Sequence, residues 1–440
     1  MRHTIQAIGK TGTALARDRQ GNFAVLTAVV VSVLALAVGF GVNLAQLYNI
    51  KSGLRNALDA AVASTARDLT TGKIDPKDAR ARFEVFLKAN SDPELASSDR
   101  LVLDTIIVDQ AAKTVRATAH VDTHLFFPLF GDGATQRVSE KSAAIYNDKR
   151  IEVAMMLDIT GSMAGQKIKD LKTAADGALT AFLANQDPAK PRVRVAIVPY
   201  AEAVNTGSLS NTVYVESKFT TSEPPALDDP FSASTAPDRC ATERKGSQQF
   251  TDAGPYKAMV NRDYRLGACP AAALAPLSAD LAALRNTVSK FSAGGSTAGH
   301  IGIQWSWYML SPKWASVLPK AAGPAEHDPK KVAKFAVLMT DGEFNTAFAG
   351  VPKSGTTTGA QAARSRAYAE QLCEAMKNDG IEIFTVGFML KESGAKEVLG
   401  KCASPNTGSV KHYFETSTGS ELNDAFLAIA ANIERLALTE

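Results

Sequence analysis

Hydrophobic residues follow three rhythms along this chain. From Phe23 to Leu47 they are nearly continuous, FAVLTAVVVSVLALAVGFGVNLAQL, and no charge occurs from Gln20 to Ile50. A helix rises about 1.5 Å per residue, so the run can cross a hydrocarbon core of about 30 Å. A cleaved signal peptide would have a shorter apolar core with a small-residue cleavage site soon after it. A buried core helix is a further alternative. The length of the run, and the long lead ahead of Gln20, favour a retained transmembrane anchor.

Past the anchor the apolar residues thin to every third or fourth position: Ile50, Leu54, Leu58, Val62, Ala66 and Leu69. Lys51, Arg55, Asp59 and Arg67 lie on the other face. This is the stripe of a continuing amphipathic helix, ended by Thr70-Thr71-Gly72. The stretch RLVLDTIIVDQAAKTVRATAHVDTHLFF, from Arg100, then alternates around a turn at Asp109 to Lys113. It predicts a β-hairpin, with another strand near Val138 to Tyr146, and so a small α+β unit over residues 51–149. His120 and His124 would share a strand face but sit roughly 13 Å apart, too far to hold one metal ion.

From Ile151 the rhythm changes again. Apolar runs at 151–157, 193–199, 335–340, 381–388 and 411–414 alternate with helical patterns. One helix carries Ile168, Leu171, Ala175, Ala178 and Phe182, another spans Ala360 to Asn378 before Gly380, and the last carries Leu422, Phe426, Ile429, Ile433 and Leu436. This alternation predicts an α/β domain with a doubly wound, mostly parallel sheet. Residues 205–276, with EPPALDDPF and two cysteines, interrupt the rhythm and read as a surface insertion.

Charge and cysteines add orientation. The chain carries 48 basic and 45 acidic residues, a net charge of +3, which gives no basis for a nucleic-acid partner. Arg2, Lys10, Arg17 and Arg19 precede the apolar run, while Lys51 and Arg55 follow it, diluted by Asp59. That bias places the amino terminus in the cytoplasm and the bulk outside. Four cysteines allow three pairings, or four reduced thiols. No CxxC spacing suggests zinc. The favoured pairs are Cys240–Cys269 and Cys373–Cys402, which an oxidising, extracytoplasmic setting would permit.

The chemistry lies where strands end. The core run Val153 to Leu157 stops at Asp158, followed by hydroxyls at Thr160 and Ser162. SAGGSTAGHIGI places Thr297 after a Gly-Gly turn, and FAVLMTDGE ends a second strand in Thr340-Asp341-Gly342. Ligands of open parallel sheets sit beyond the carboxyl ends of the strands. Carboxylates and hydroxyls are hard oxygen donors suited to Mg²⁺, or to Mn²⁺ or Ca²⁺. Each loop alone is also what a helix cap or a turn requires. His300, one turn past Thr297, and Glu343, beside Asp341, could support the site from behind. No Gly-x-Ser-x-Gly or phosphate-binding loop occurs, so no catalytic residue and no enzyme activity are expected.

The three loops, in this order, resemble the von Willebrand factor A (VWA) domain and its metal-ion-dependent adhesion site (MIDAS), over about Lys149 to Glu440. The family's Asp-x-Ser-x-Ser falls on Asp158, Thr160 and Ser162, its threonine on Thr297 and its second aspartate on Asp341. The resemblance implies a Rossmann-like fold and a Mg²⁺ whose open position takes a carboxylate from an Asp or Glu of a partner protein. GNFAVLTAVV, LRNALDAAVASTARDL and CASPNTGSVKHYF are similar to TadG-like proteins of Tad/Flp pilus assembly. That similarity implies a single-pass protein of the bacterial inner membrane, with pilus components as partners. Residues 1–21 would be cytoplasmic, 22–50 transmembrane, and 51–149 and 150–440 periplasmic. In a second reading the amino-terminal helix does the work of a pilin-like assembly component and the VWA domain binds no metal.

Overall fold

The computed structural model describes residues 20–93, 100–127, 135–147, 149–184, 186, 190–210, 239–260, 269–348, 359–408 and 410–439. Most of the expected cytoplasmic segment, and 211–238 and 261–268 of the expected insertion, lie outside the described residues. The chain divides into two units, Met1–Thr70 with Ile74–Tyr146, and Thr71–Lys73 with Asn147–Glu440.

The first unit is built on one unbroken helix, α1 (Gln20–Thr70). From Val25 to Val42 its residues are exposed except Gly39. From Leu54 onward the amphipathic stripe is buried, with Leu58, Ala61, Val62 and Ala66 packed together. They meet Phe83 and Leu87 of α2 (Ala79–Asn90) and Val115, Ala117, Ala119 and Val121 of a strand. That strand, β2 (Thr114–His124), is the centre of an antiparallel sheet between β1 (Leu101–Asp109) and β3 (Thr135–Ile145). Its inward residues are at alternate positions, as a half-buried strand requires. The β1–β2 turn forms where Asp109 Oδ1 accepts from the amides of Ala111 and Ala112. β3 begins at Thr135, earlier than its apolar residues suggest, because it pairs with β2 along its whole length, from Thr135 opposite His124 to Ile145 opposite Thr114.

The second unit holds the predicted doubly wound sheet. β4 (Arg150–Asp158), β5 (Val193–Tyr200), β8 (Ala275–Ser278), β9 (Val332–Thr340), β10 (Glu382–Phe388) and β11 (Tyr413–Thr416) lie in the order β11-β10-β9-β4-β5-β8. All neighbours are parallel except β5 and β8. A separate two-stranded ladder joins β6 (Val204–Asn205) to β7 (Cys240–Ala241).

Helices cover both faces. Ile151, Val153, Met155 and Leu157 of β4 face α3 (Gln166–Leu183), α4 (Leu281–Ser289) and α8 (Gly419–Thr439). Ala154 and Met156 face α5 (Gly299–Tyr308), α6 (Gly359–Asn378) and α7 (Ser393–Cys402). The chain leaves β4 toward β5 but extends from β9 toward β10, so the topological switch lies between the carboxyl ends of β4 and β9.

At the start of β4, Glu152 is fully buried, flanked in register by Arg194 and Lys334 and ion-paired with both. The stretch around Cys240 is less superficial than its composition suggests. Residues from Cys240 to Arg244 are buried, and the Arg244 guanidinium lies 4.8 Å from the ring centre of Tyr308 in α5. Disulfides join Cys240 to Cys269, and Cys373 in α6 to Cys402 at the end of α7.

The second bond closes a loop across 29 positions, for which chain entropy gives roughly 3–4 kcal/mol. The double substitution Cys373→Ala, Cys402→Ala is expected to lower the unfolding free energy of the second unit by about that amount in a denaturant titration. A loss below about 1 kcal/mol would mean that α6–α7 packing alone holds the pair.

Candidate metal centre

Asp158 is the last residue of β4 and is fully buried at the switch point. A carboxylate away from water must be met by donors, and four meet this one. Oδ1 accepts the amide of Thr160 at 2.9 Å. Oδ2 accepts Thr340 Oγ1 at 2.7 Å, Tyr200 OH at 3.0 Å and the Asp341 amide at 3.4 Å. Tyr200 and Thr340 end the strands on either side, β5 and β9. No described cation bonds Asp158. Burial pushes its carboxyl above the usual range and the charge of Asp341 adds to the push, against the bonds from Thr160 and Thr340.

Asp341 follows β9, and its carboxylate is also out of contact with water. Its Oδ1 accepts Ser162 Oγ at 2.5 Å, and that hydroxyl lies 2.9 Å from Thr160 Oγ1. Its Oδ2 accepts Lys167 Nζ, on the first turn of α3, at 2.7 Å. Of these two adjacent carboxylates only Asp341 is bonded by an ammonium.

Thr297 comes from the loop between α4 and α5. That loop is stitched to its neighbours by Gly294 N to Ile159 O, Gly161 N to Gly295 O and Ala298 N to Ala201 O. Gly295 takes φ +77°, the left-handed region that favours glycine. The Thr297 amide donates to Asn345 Oδ1, and its carbonyl accepts the amides of Asn345 and Thr346, locking it to the Asp341 loop. Its hydroxyl makes no hydrogen bond with a described residue. Gly342 is the floor between the loops: a Cβ there would lie 3.4 Å from Ser162 Oγ and 3.8 Å from Thr297 Oγ1. The missing side chain leaves a recess faced by both hydroxyls.

Asp158, Thr160, Ser162 and Asp341 therefore form one bonded chain, and Thr297 faces the same recess. The donors are hard oxygens, the carboxylates exceed the cations bonded to them, and the place of a Gly342 Cβ is empty beside two of the hydroxyls. These residues fit a hard divalent cation. Among the described residues no cluster of three or more His, Cys, Asp or Glu side chains could hold a metal. Three of the five donors of a site here are hydroxyls, those of Thr160, Ser162 and Thr297.

The two supporting residues point elsewhere. His300 is buried between Ser365 Oγ, 2.8 Å from its Nδ1, and Glu243 Oε2, 2.5 Å from its Nε2. It touches none of the five donors. All three members of this Ser–His–Glu chain are inaccessible, at 0–1% exposure, so it braces α5 against α6 and the Cys240 segment. Glu343 pairs with Arg366 of α6 at 3.2 Å. Lys167, Tyr200, Thr340, Gly342 and Asn345 were not singled out as site residues from the sequence. Tyr200 carries a readable signal, since it ends β5 in register with Asp158. Lys167 carries none, because its partner is 174 positions away.

No protein-family model and no curated protein sequence matches this chain. Solved structures with a similar fold include the von Willebrand factor domain of Mfa5, a type V pili tip protein from Porphyromonas gingivalis. It is 14% identical, with 67% of this chain and 97% of that one covered, at a TM-score of 0.39. The PilB minor pilin of Streptococcus sanguinis is 11% identical over 76% of this chain and 78% of its own, at 0.36. Proximal thread matrix protein 1 of the mussel byssus, described with a zinc-occupied MIDAS motif, is 15% identical over 66% and 46%, at 0.32.

The packing beneath the recess is open to test. Gly299 begins α5, and a Cβ on it would lie 1.4 Å from Cε1 of Phe344, three residues past Asp341. Gly299→Ala is expected to displace Phe344 and cost about 3 kcal/mol or more, read as a lower denaturation midpoint. A midpoint like the parent's would mean that the Asp341 loop is not held by this contact.

Proposed function

We propose that this chain is a membrane-anchored, extracytoplasmic binding protein. Asp158, Thr160, Ser162, Thr297 and Asp341 hold a divalent cation, most simply Mg²⁺. When bound, the cation supplies an anion-binding position for an Asp or Glu carboxylate of a partner protein. One observation carries the reading: of two neighbouring buried carboxylates only Asp341 is bonded by an ammonium, that of Lys167, and Asp158 is met by dipoles alone, beside a recess faced by two hydroxyls. The chain's own part is to hold these oxygens still. Three strands fix Asp158, backbone stitches fix Thr297, and Lys167 holds the Asp341 carboxylate in place.

The extracytoplasmic side is supported by the apolar helix and the two disulfides. The Tad/Flp pilus setting is supported by the similarity of GNFAVLTAVV, LRNALDAAVASTARDL and CASPNTGSVKHYF to TadG-like proteins. The second reading, a pilin-like assembly component with a metal-free domain, is favoured by the Lys167–Asp341 pair, which partly neutralises the site by itself. Under it, pilus assembly tolerates Asp158→Ala but not Leu54→Asp.

Calorimetric titration of the full chain in detergent with Mg²⁺ tests the site. Heat of binding is expected for the parent and should be lost in Asp158→Ala. Gly342→Ala is the sharper variant. Its Cβ meets only ordinary contacts, so stability should change by less than about 1 kcal/mol while the recess closes and affinity falls at least about tenfold. Equal heats in parent and Gly342→Ala would remove the site.

The pH dependence has a definite sign. The folded state raises the Asp158 pKa above its unfolded value, near 3.9. The stability this group contributes is present below the ordinary carboxylate range and is lost as pH rises through the raised value. Ionised Asp158 is therefore a liability that a bound cation offsets. The rise in melting temperature caused by Mg²⁺ should grow as pH rises and shrink as Asp158 takes up its proton. A rise independent of pH would show that Asp158 does not sense the cation.

A further inference from the structure

The membrane run and the small sheet are bolted together at one level. Asn43 Nδ2 donates to the carbonyl of Phe127 at 2.6 Å, and the Phe127 amide donates to Asn43 Oδ1 at 3.0 Å. One turn on, Gln46 Nε2 donates to the carbonyl of His124 at 2.8 Å, and the Phe126 amide donates to Gln46 Oε1 at 3.1 Å. Two helix amides thus act as an extra strand edge for the chain leaving β2. The backbone is tied down there, yet Phe126 and Phe127 stand 69% and 47% exposed. Tyr48, on the next turn of α1, is 72% exposed.

That level has a physical meaning. Between Asn22 and Asn43 the helix carries no Asn, Gln or charged residue, and Ser32 returns its hydroxyl bond to the Ala28 carbonyl. Residues 23–42 rise about 30 Å, the thickness of a hydrocarbon core. Asn43 is therefore the first residue past the core. The first charge, Lys51, comes about 12 Å further, beyond a headgroup layer. Phe126, Phe127 and Tyr48 fall between these limits, where aromatic rings settle into the boundary of headgroups and acyl chains.

We propose that Phe126 and Phe127 are a membrane foot: they insert into the outer interfacial layer of the bilayer that α1 spans, and the Asn43–Gln46 clamp sets their depth. The occupant is lipid, because the exposed rings continue an apolar surface that already faces lipid and the clamp leaves them no partner in the sheet. The inference rests on α1 being a retained anchor.

The test uses the full chain reconstituted in phosphatidylcholine–phosphatidylglycerol vesicles. Phe126→Trp adds a reporter to a protein whose three tryptophans, Trp305, Trp307 and Trp314, are buried in the second unit. Its added emission should be blue-shifted and fall about twofold or more when the acyl chains are brominated near the headgroup. Ala111→Trp, on the β1–β2 turn at the opposite end of the sheet, should show neither effect. Phe127→Trp serves where the first variant folds poorly. A chain that fails to float with the vesicles overturns anchor and foot together. A chain that floats while the reporter emits as in water, quenched no more than Ala111→Trp, overturns the foot alone.

Discussion

The second unit is organised by what it costs to bury a carboxylate at each end of one strand. β4 runs through the middle of the sheet and carries Glu152 near its start and Asp158 at its finish, both fully buried. The two ends solve the problem differently. Glu152 is met by two cations in register, Arg194 and Lys334, and its charge is cancelled where it stands. Asp158 is met by dipoles alone, two hydroxyls and two amides. Dipoles orient a charge and lower its energy without removing it. One end of β4 is thus met by cations and the other by dipoles alone. Parallel strands put that second end where the crossover loops already gather, so three distant segments reach it without long excursions.

The buried runs in this sheet were legible because length and apolarity both pointed to strands covered on two sides. Gly380 at φ +75° ends α6 where a glycine after the last periodic residue should. What was illegible had local reasons. β8 is four residues with a proline, held antiparallel at an edge by β5 and by nothing in its own pattern. α2 buries only Ala79, Phe83 and Leu87 amid charged neighbours. The Cys240 segment reads as surface by composition but is drawn inward by a ladder with β6 and by His300 reaching Glu243, 57 positions away.

The site divides along the same line. Asp158, Thr160, Ser162, Thr297 and Asp341 could be singled out because each is an oxygen donor placed where a strand or a glycine turn ends. Lys167 could not, since on its helix it is one lysine among several, and only the return of β9 brings Asp341 beneath it. Gly342 shows the opposite limit. Its letter was visible in TDGE, but the two hydroxyls beside the place of its missing Cβ were not. Sequence patterns report where chain direction changes far better than which charges end up adjacent.

The first unit's helix passes its polar clamp at Asn43 and Gln46 without a break. A junction of this kind has no joint. The backbone hydrogen bonds continue across it, and the sheet is fastened to the same turns. Any tilt or rotation imposed on the helix before Asn43 is therefore handed on to the strands fastened there. The small sheet works as the dial on a spindle, turning with the apolar segment.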